Sequence, residues 1–95
     1  MTNYERGRKA EYKAVEELRR RGFQAFRTAG SKGPFDVVAF SEKEIVVVQV
    51  KRGKKKRATK DARELLASLP CPSNVRKEVW TWVDRQGFVR KEVVS

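Results

Sequence analysis

Histidine is absent from this sequence, and cysteine occurs once, as Cys71. The absence of histidine excludes a Ser-His-Asp triad and a histidine-ligated zinc site. A lone cysteine excludes an internal disulfide and a cysteine zinc cluster. Any acid, base or metal ligand must therefore come from carboxylates, amides, lysines, serines or backbone carbonyls.

Long apolar runs are missing as well. No stretch approaches the length of a transmembrane helix, and the N-terminal residues lack the apolar core of a signal peptide. We therefore expect a cytoplasmic, intracellular protein in a reducing compartment, with no membrane partner. We expect no small-molecule organic cofactor either.

Positive charge is what the chain has in excess. Its 23 lysines and arginines stand against 12 acidic residues, which gives a formal net charge of +11. An excess of this size repels itself within a small fold and favours a polyanionic partner. Nucleic acid is therefore the leading candidate for the partner, and the hydrophobic content of 39% indicates a globular fold rather than a disordered tail.

The apolar spacing and the positions of glycine and proline predict the element order α-β-β-β-α-β-β. Gly22 is placed to stop the first helix and Pro70 to end the second. The third strand is apolar on both faces, which is typical of a central strand. The fold class is α/β (α+β), one domain over residues 1–95 with a central mixed sheet flanked by helices. The predicted helices span residues 3–21 and 59–69, and the predicted strands span residues 23–28, 36–40, 44–51, 75–83 and 88–94.

The third strand ends in two polar residues on one face. Because strand side chains alternate, Gln49 and Lys51 project from the same side of the sheet. A strand end that reaches water would explain them. Buried polar groups need partners, however, and a divalent metal with a phosphate would supply them.

Asp36 opens the second strand after a Gly-Pro turn. An aspartate there is often only a turn or cap residue. A hairpin centred on residues 41–43 would nevertheless place Asp36 beside Gln49 and Lys51. Three polar groups would then converge at one edge of the sheet.

Glu11 adds a carboxylate to the first helix. It shares a stripe with Ala14, Val15 and Leu18, which are expected to pack on the sheet. A carboxylate on this stripe is anomalous unless it lies at the edge of the stripe and reaches water.

Basic residues surround the predicted edge. The segment from Lys51 to Arg57 has six charges in seven residues. A solvated loop would explain the segment, but beside a metal site it would face a phosphodiester backbone. Lysine and arginine position a backbone without reading sequence, so we expect structure-selective or non-specific binding. The predicted basic DNA-binding residues are Arg6, Arg8, Lys9, Arg27, Lys32, Arg52, Lys54, Lys55, Lys56 and Arg57.

Trp80 and Trp82 share one face of the fourth strand. Base stacking would be one use of two such rings. Packing in the core or at a dimer interface is the favoured interpretation.

The polar residues carry a family resemblance. The arrangement Asp36…Gln49-Val50-Lys51, with Glu11 on the preceding helix, resembles the PD-(D/E)XK nuclease superfamily. Three short motifs, Arg21-Gly22-Phe23, Arg27-Thr28-Ala29-Gly30-Ser31 and Pro34-Phe35-Asp36, are similar to archaeal Holliday junction resolvases and their viral relatives. The resemblance covers about residues 5 to 57 and implies a restriction-endonuclease-like core.

The resemblance also implies roles. Asp36 would bind the metal together with Gln49 and the backbone carbonyl of Val50, and Glu11 would hold a metal-bound water or a second ion. Lys51 would orient the attacking water or stabilise charge on the phosphate. Ser31 matches a serine that contacts the region of the scissile phosphate. Oxygen ligands of these kinds suit Mg²⁺, with Mn²⁺ as a substitute.

Two departures from the family pattern stand out. The usual acidic residue is Gln49 here, and Phe35 interrupts the Pro-Asp pair.

The leading hypothesis is a metal-dependent endonuclease that acts as a homodimer on branched or duplex DNA. The alternative is a non-catalytic DNA-binding module that keeps the nuclease fold. An RNA-binding or ribosome-associated protein would make the placement of Glu11, Asp36 and Gln49 a coincidence.

Overall fold

The computed structural model describes residues 3–28, 35–53 and 56–94, with side chains described from residue 8 in the first helix and residue 59 in the second. These residues form two helices and five strands in the predicted order. None of the helices in these ranges is long and apolar enough to cross a membrane. The elements are α1 (Asn3–Arg20), β1 (Gln24–Arg27), β2 (Val37–Phe40), β3 (Ile45–Arg52), α2 (Lys56–Ser68), β4 (Val75–Val83) and β5 (Gly87–Val94).

The five strands form one mixed sheet in the order β1-β2-β3-β4-β5. Neighbouring strands are antiparallel except β3 and β4, which are parallel and joined through α2. This parallel pair needs a crossover connection, and the helix provides it. The predicted central position of β3 and the predicted fold class are confirmed.

Helix α1 packs its apolar stripe on one face of the sheet. Leu18 and the β3 residues Val46 and Val48 are fully buried there, together with Trp80. The helix ends in a Schellman motif, in which Gly22 adopts φ 94° and the amide of the next residue bonds to the Leu18 carbonyl at 3.1 Å. Trp80 therefore serves the core, as the favoured interpretation of the two tryptophans predicted.

Helix α2 covers the other face of the sheet. Ala62 and Leu66 are buried against Val79 of β4. The helix begins at Lys56, three residues before the predicted start, so the last part of the basic segment is helical rather than loop. Lysine and arginine are good helix formers, which explains the earlier start. Gly53, at φ 101°, lets the chain turn away from the end of β3.

Tyr12 would continue the apolar spacing of α1 by composition, but it lies outside the stripe that faces the sheet. Its side chain is 55% exposed, whereas Ala14, Val15 and Leu18 are buried. The stripe that faces the sheet therefore passes through Glu11 rather than Tyr12. This places a carboxylate, and not an aromatic ring, at the edge of the core.

Candidate metal and phosphodiester site

The hairpin of β2 and β3 brings Asp36 to the polar end of β3. The Asp36 amide donates to the Val48 carbonyl at 2.8 Å, and its carbonyl accepts from the Thr28 amide at 2.9 Å. These bonds fix its backbone between β1 and β3. Its carboxylate oxygen Oδ2 accepts from the Gln49 side-chain amide at 3.0 Å and from the Val50 backbone amide at 2.9 Å. One carboxylate oxygen is thus held by two donors of the neighbouring strand.

The surroundings disfavour a charged Asp36. Burial is the main cause that raises the pKa of this carboxyl group above its ordinary value, and the nearby Glu11 carboxylate adds to it. The hydrogen bond from Val50 and the charges of Lys51 and Arg27 act in the opposite direction. Because the net shift is upward, the ionised form lacks sufficient positive compensation from the protein. A bound cation would supply that compensation.

Glu11 lies at the same end of the sheet. Its Oε1 accepts a hydrogen bond from the Arg27 guanidinium at 2.9 Å, and both side chains are largely buried. The guanidinium carbon of Arg27 also lies 4.7 Å from the centre of the Tyr12 ring. Arg27 was predicted to contact DNA, and in the structure it orients Glu11 and compensates its charge.

Lys51 completes the group of polar side chains. It follows Gln49 on the same face of β3, is partly buried, and its charge acts on the Asp36 carboxyl group. The structure therefore brings together four of the predicted site residues, Glu11, Asp36, Gln49 and Lys51. Their catalytic roles remain predictions.

The oxygen atoms at this end of the sheet fit a hard divalent cation. Asp36 and Glu11 offer carboxylates, and Gln49 offers its amide oxygen, since the amide nitrogen is the atom that faces Asp36. Among the described residues, no group of three or more histidine, cysteine or acidic side chains is placed to hold a metal. This agrees with the replacement of the usual acidic residue by Gln49. The donor set is suitable but carries one negative charge fewer than the family pattern.

The predicted DNA-binding residues are only partly described. Arg8 and Lys9 are exposed on α1, and Arg52 is exposed at the end of β3. Arg6, Lys56 and Arg57 lie in helices whose side chains are not described at those positions, and Ser31, Lys32, Lys54 and Lys55 lie outside the described residues.

Thr28 and Tyr12 are residues of the site that the sequence analysis missed. The Thr28 hydroxyl donates to the Phe35 carbonyl at 2.8 Å and ties the end of β1 to the residue before Asp36. Tyr12 supports the guanidinium of Arg27. Their positions in the sequence could have indicated them, because Thr28 directly follows Arg27 and Tyr12 directly follows Glu11.

Two comparisons with known proteins found matches. The family model described as archaeal Holliday junction resolvase (Hjc) matches residues 2–69. Among solved structures, the chain is similar to Hjc of Archaeoglobus fulgidus, a Holliday junction resolvase from an archaeal hyperthermophile, with a TM-score of 0.58 and 21% identity over 94% of this chain and 71% of that one. The comparison with curated proteins found no match. Because the family model covers most of the sequence, the chain belongs to the archaeal Holliday junction resolvase family.

Proposed function

We propose that this chain is a structure-selective endonuclease that hydrolyses phosphodiester bonds of branched DNA with the help of Mg²⁺, for which Mn²⁺ can substitute. The observation that carries the proposal is the partly buried Asp36 carboxylate, held by Gln49 and Val50 beside Glu11 and Lys51. A raised pKa on a fixed carboxyl group is common at functional sites. Membership of the resolvase family supports the same reaction.

Four groups of the chain would hold the metal. They are the Asp36 carboxylate, the Gln49 amide oxygen, the backbone carbonyl of Val50, and Glu11, which acts through a water or a second ion. When bound, a metal of this kind polarises a phosphoryl oxygen and lowers the pKa of a coordinated water. Because Gln49 and Val50 both donate to Asp36 Oδ2, its other oxygen, Oδ1, would be the atom offered to the cation.

Lys51 would act on the phosphate itself. Its position two residues after Gln49 puts a cation on the face of β3 where the polar groups converge. There it orients the attacking water or stabilises negative charge that develops on the phosphoryl oxygens. The charge is prepositioned because the lysine lies on a strand of the sheet rather than on a loop.

The basic surface would hold the DNA backbone. Arg8, Lys9 and Arg52 are exposed near the ends of the elements that carry Glu11 and Lys51. Such contacts neutralise phosphates and release counterions, and they provide affinity without reading bases. Selectivity for branched DNA would then come from the shape of the substrate.

A substrate panel tests the proposed function. Labelled four-way junction, duplex and single-stranded DNA are incubated with the protein in Mg²⁺, Mn²⁺ or EDTA. We expect cleavage of the junction with either metal, weaker cleavage of duplex, and none in EDTA. Tight binding to the junction without cleavage under any of these conditions would favour the non-catalytic DNA-binding module.

The metal role of position 49 gives a second prediction. In Gln49→Glu a carboxylate replaces the amide that donates to Asp36, so the two like charges repel when no metal is bound. We expect lower thermal stability of the metal-free variant and about tenfold or greater tightening of Mg²⁺ binding, because a full negative charge is added at a hard-cation site.

Calorimetric titration with Mg²⁺ and thermal melts with and without the metal measure both effects. Gln24→Glu is the matched control, because Gln24 is exposed on β1 and pairs with Phe40, away from the polar end of β3. Equal Mg²⁺ affinity in wild type and Gln49→Glu would remove position 49 from the ligands of the metal.

A homodimer would let the protein make paired cuts in a symmetric junction. The apolar surface that supports a second copy lies on the face of the sheet opposite α1. Phe26 of β1 and Phe40 of β2 are 47% and 44% exposed there, with ring centres 6.4 Å apart. Helix α2 packs on β3, β4 and β5, so it leaves this pair uncovered. A chain of this size also gains stability from an interface.

Replacing both rings tests the dimer. We expect wild type to sediment at about twice the chain mass of 11.0 kDa and Phe26→Ser/Phe40→Ser to sediment as a monomer. Val93→Ser is the control, because Val93 is 65% exposed on the edge strand β5. Sedimentation velocity over a range of concentrations measures the mass. A monomeric wild type, or a double variant that stays dimeric, would contradict this interface.

A further inference from the structure

We propose that Thr81 is a positioning residue, whose buried hydroxyl group holds the Lys51 ammonium over the reacting phosphate. The proposal rests on the proposed function and adds a residue of β4 to a site otherwise built from α1, β2 and β3. It follows from the strand register, from burial and from one hydrogen-bonding group that no described residue contacts.

The parallel register places Thr81 directly beside Lys51. The Cα partners across β3 and β4 are Gln49 with Val79 and Lys51 with Thr81. Partners in adjacent strands share a face of the sheet and lie about 4.8 Å apart. Val79 packs under α2, so Thr81 and Lys51 project from this same face, one step closer to the strand ends.

The hydroxyl group of Thr81 is buried. The residue is 7% exposed, and its Oγ1 has no hydrogen-bond partner among the residues that the structure describes. Burying a hydroxyl group in this way opposes folding, and valine has the same shape without that cost. Thr81 lowers stability at a position where valine would fit. This cost is explained if the hydroxyl group forms a hydrogen bond in another state of the protein, such as the complex with DNA.

The Lys51 ammonium is the donor that fits this acceptor. It has three N–H donors on a flexible stem, and Lys51 is partly buried at the strand end. In the complex with DNA, the ammonium group would donate one N–H to Thr81 Oγ1, directly or through one water. Its other N–H groups would face the phosphate. Restricting the lysine side chain in this way would keep its positive charge next to the phosphoryl oxygens, where negative charge develops in the transition state.

Arg90 is a second cation among the described residues of this row. It is the Cα partner of Thr81 across β4 and β5, but it is exposed on the edge strand. A test of the proposal must therefore distinguish an effect through Lys51 from an effect through Arg90. A double-mutant cycle does so, because only residues that act together show non-additive effects.

The variant Thr81→Val removes the hydroxyl group and keeps the shape. We expect its single-turnover cleavage of a four-way junction to fall about 10- to 100-fold, the range for losing a hydrogen bond to a charged group. The dissociation constant for the junction should not change, since Thr81 is too buried to touch DNA. The melting temperature should equal or exceed that of wild type, because the variant no longer buries a hydroxyl group that lacks a partner among the described residues.

A control variant and a double variant complete the test. Thr81→Ser keeps the hydroxyl group and should cleave within about threefold of wild type, since only a methyl group is lost. Thr81→Val added to Lys51→Met should cause no further loss of rate beyond Lys51→Met alone. A wild-type rate in Thr81→Val, or a full additional loss in the Lys51→Met background, would overturn the proposal.

A measurement without cleavage separates this proposal from the proposed function. Relaxation of ¹³C-labelled lysine Cε reports the order of the Lys51 side chain in the junction complex in EDTA. We expect a lower order parameter in Thr81→Val than in wild type and Thr81→Ser. Equal order in all three proteins would overturn the role of Thr81, whether or not the wild type cuts DNA. A wild type that never cuts would contradict the proposed function alone.

Discussion

Replacing Asp36 with asparagine is expected to abolish cleavage while making the metal-free protein at least as stable as wild type at neutral pH. The loss of activity should reach at least about a thousandfold, because an anionic metal ligand supplies several kcal/mol of transition-state stabilisation. Activity falls while stability holds or rises because the charged Asp36 carboxylate is favourable only when a metal is bound. Without the metal, its burial opposes folding.

The stability effect follows from the direction of the pKa shift. Burial and Glu11 raise the pKa of Asp36 above its ordinary value of 3.8, so the folded state prefers the protonated carboxyl group. Between 3.8 and the raised pKa, the native state binds more protons than the unfolded state, and the free energy of unfolding falls as pH rises. Asparagine has no charge to bury, and its oxygen can still accept from Val50 and Gln49.

Thermal melts of both proteins at several pH values, without metal, measure this difference. The advantage of Asp36→Asn should be present at pH 7 and should disappear below the ordinary pKa of aspartate. Saturating Mg²⁺ should stabilise the wild type and leave the variant unchanged, because only the wild type binds the ion. A variant that is less stable than wild type at neutral pH would contradict the account of Asp36.

The variant Lys51→Met is expected to lose about 100- to 1000-fold in cleavage rate with little change in affinity for the junction. Methionine keeps the length of the apolar stem but removes the cation that faces the phosphate. Affinity should hold, because one charge out of 23 lysines and arginines is lost. Lys43→Met is the control, since Lys43 is exposed in the turn at the opposite end of β3.

The dependence of the Lys51→Met rate on pH distinguishes a local role from a general loss of charge. Lys51 lowers the pKa of Asp36, so its removal should raise that pKa further. Metal binding requires the ionised carboxylate, and the acid limb of the pH–rate profile should therefore move to higher pH than in wild type and Lys43→Met. An unmoved acid limb would show that Lys51 does not act on Asp36.

The contact between Asp36 and Gln49 could be anticipated because it depends on local rules. Strand side chains alternate with a period of two, and a short turn at residues 41–43 fixes which residues of β2 and β3 are opposite. The apolar character of β3 then predicts that this strand is central in the sheet, with the pair at its polar end. For the same reasons the element order and the fold class could be predicted.

The partner of Glu11 could not be anticipated in this way. The stripe on α1 indicates which side faces the sheet, but the tilt of the helix over β1 decides whether Glu11 meets Arg27 or a metal. That tilt depends on packing between α1, Ala25 and Val48 across the core. The buried hydroxyl group of Thr81, which has no partner among the described residues, could not be anticipated for a similar reason. Its surroundings depend on the β3–β4 register, which is set by a crossover helix.

The residue at which α2 begins could not be predicted from amino-acid composition alone. The run of basic residues after β3 is compatible with a solvated loop and with the first turn of a helix, since lysine and arginine suit both. The structure begins the helix at Lys56. Packing of Ala62 and Leu66 on the sheet favours the helix, and this tertiary contribution is not visible in the composition of the segment.

The central claim is that Asp36 holds a divalent metal which the cleavage reaction requires. The most direct measurement is an anomalous difference map from crystals of the wild type soaked in Mn²⁺. We expect a peak about 2.2 Å from a carboxylate oxygen of Asp36, near the side-chain oxygen of Gln49, and no peak there in Asp36→Asn. A soaked wild-type protein that cleaves junctions with Mn²⁺ but shows no peak at Asp36 would contradict the claim.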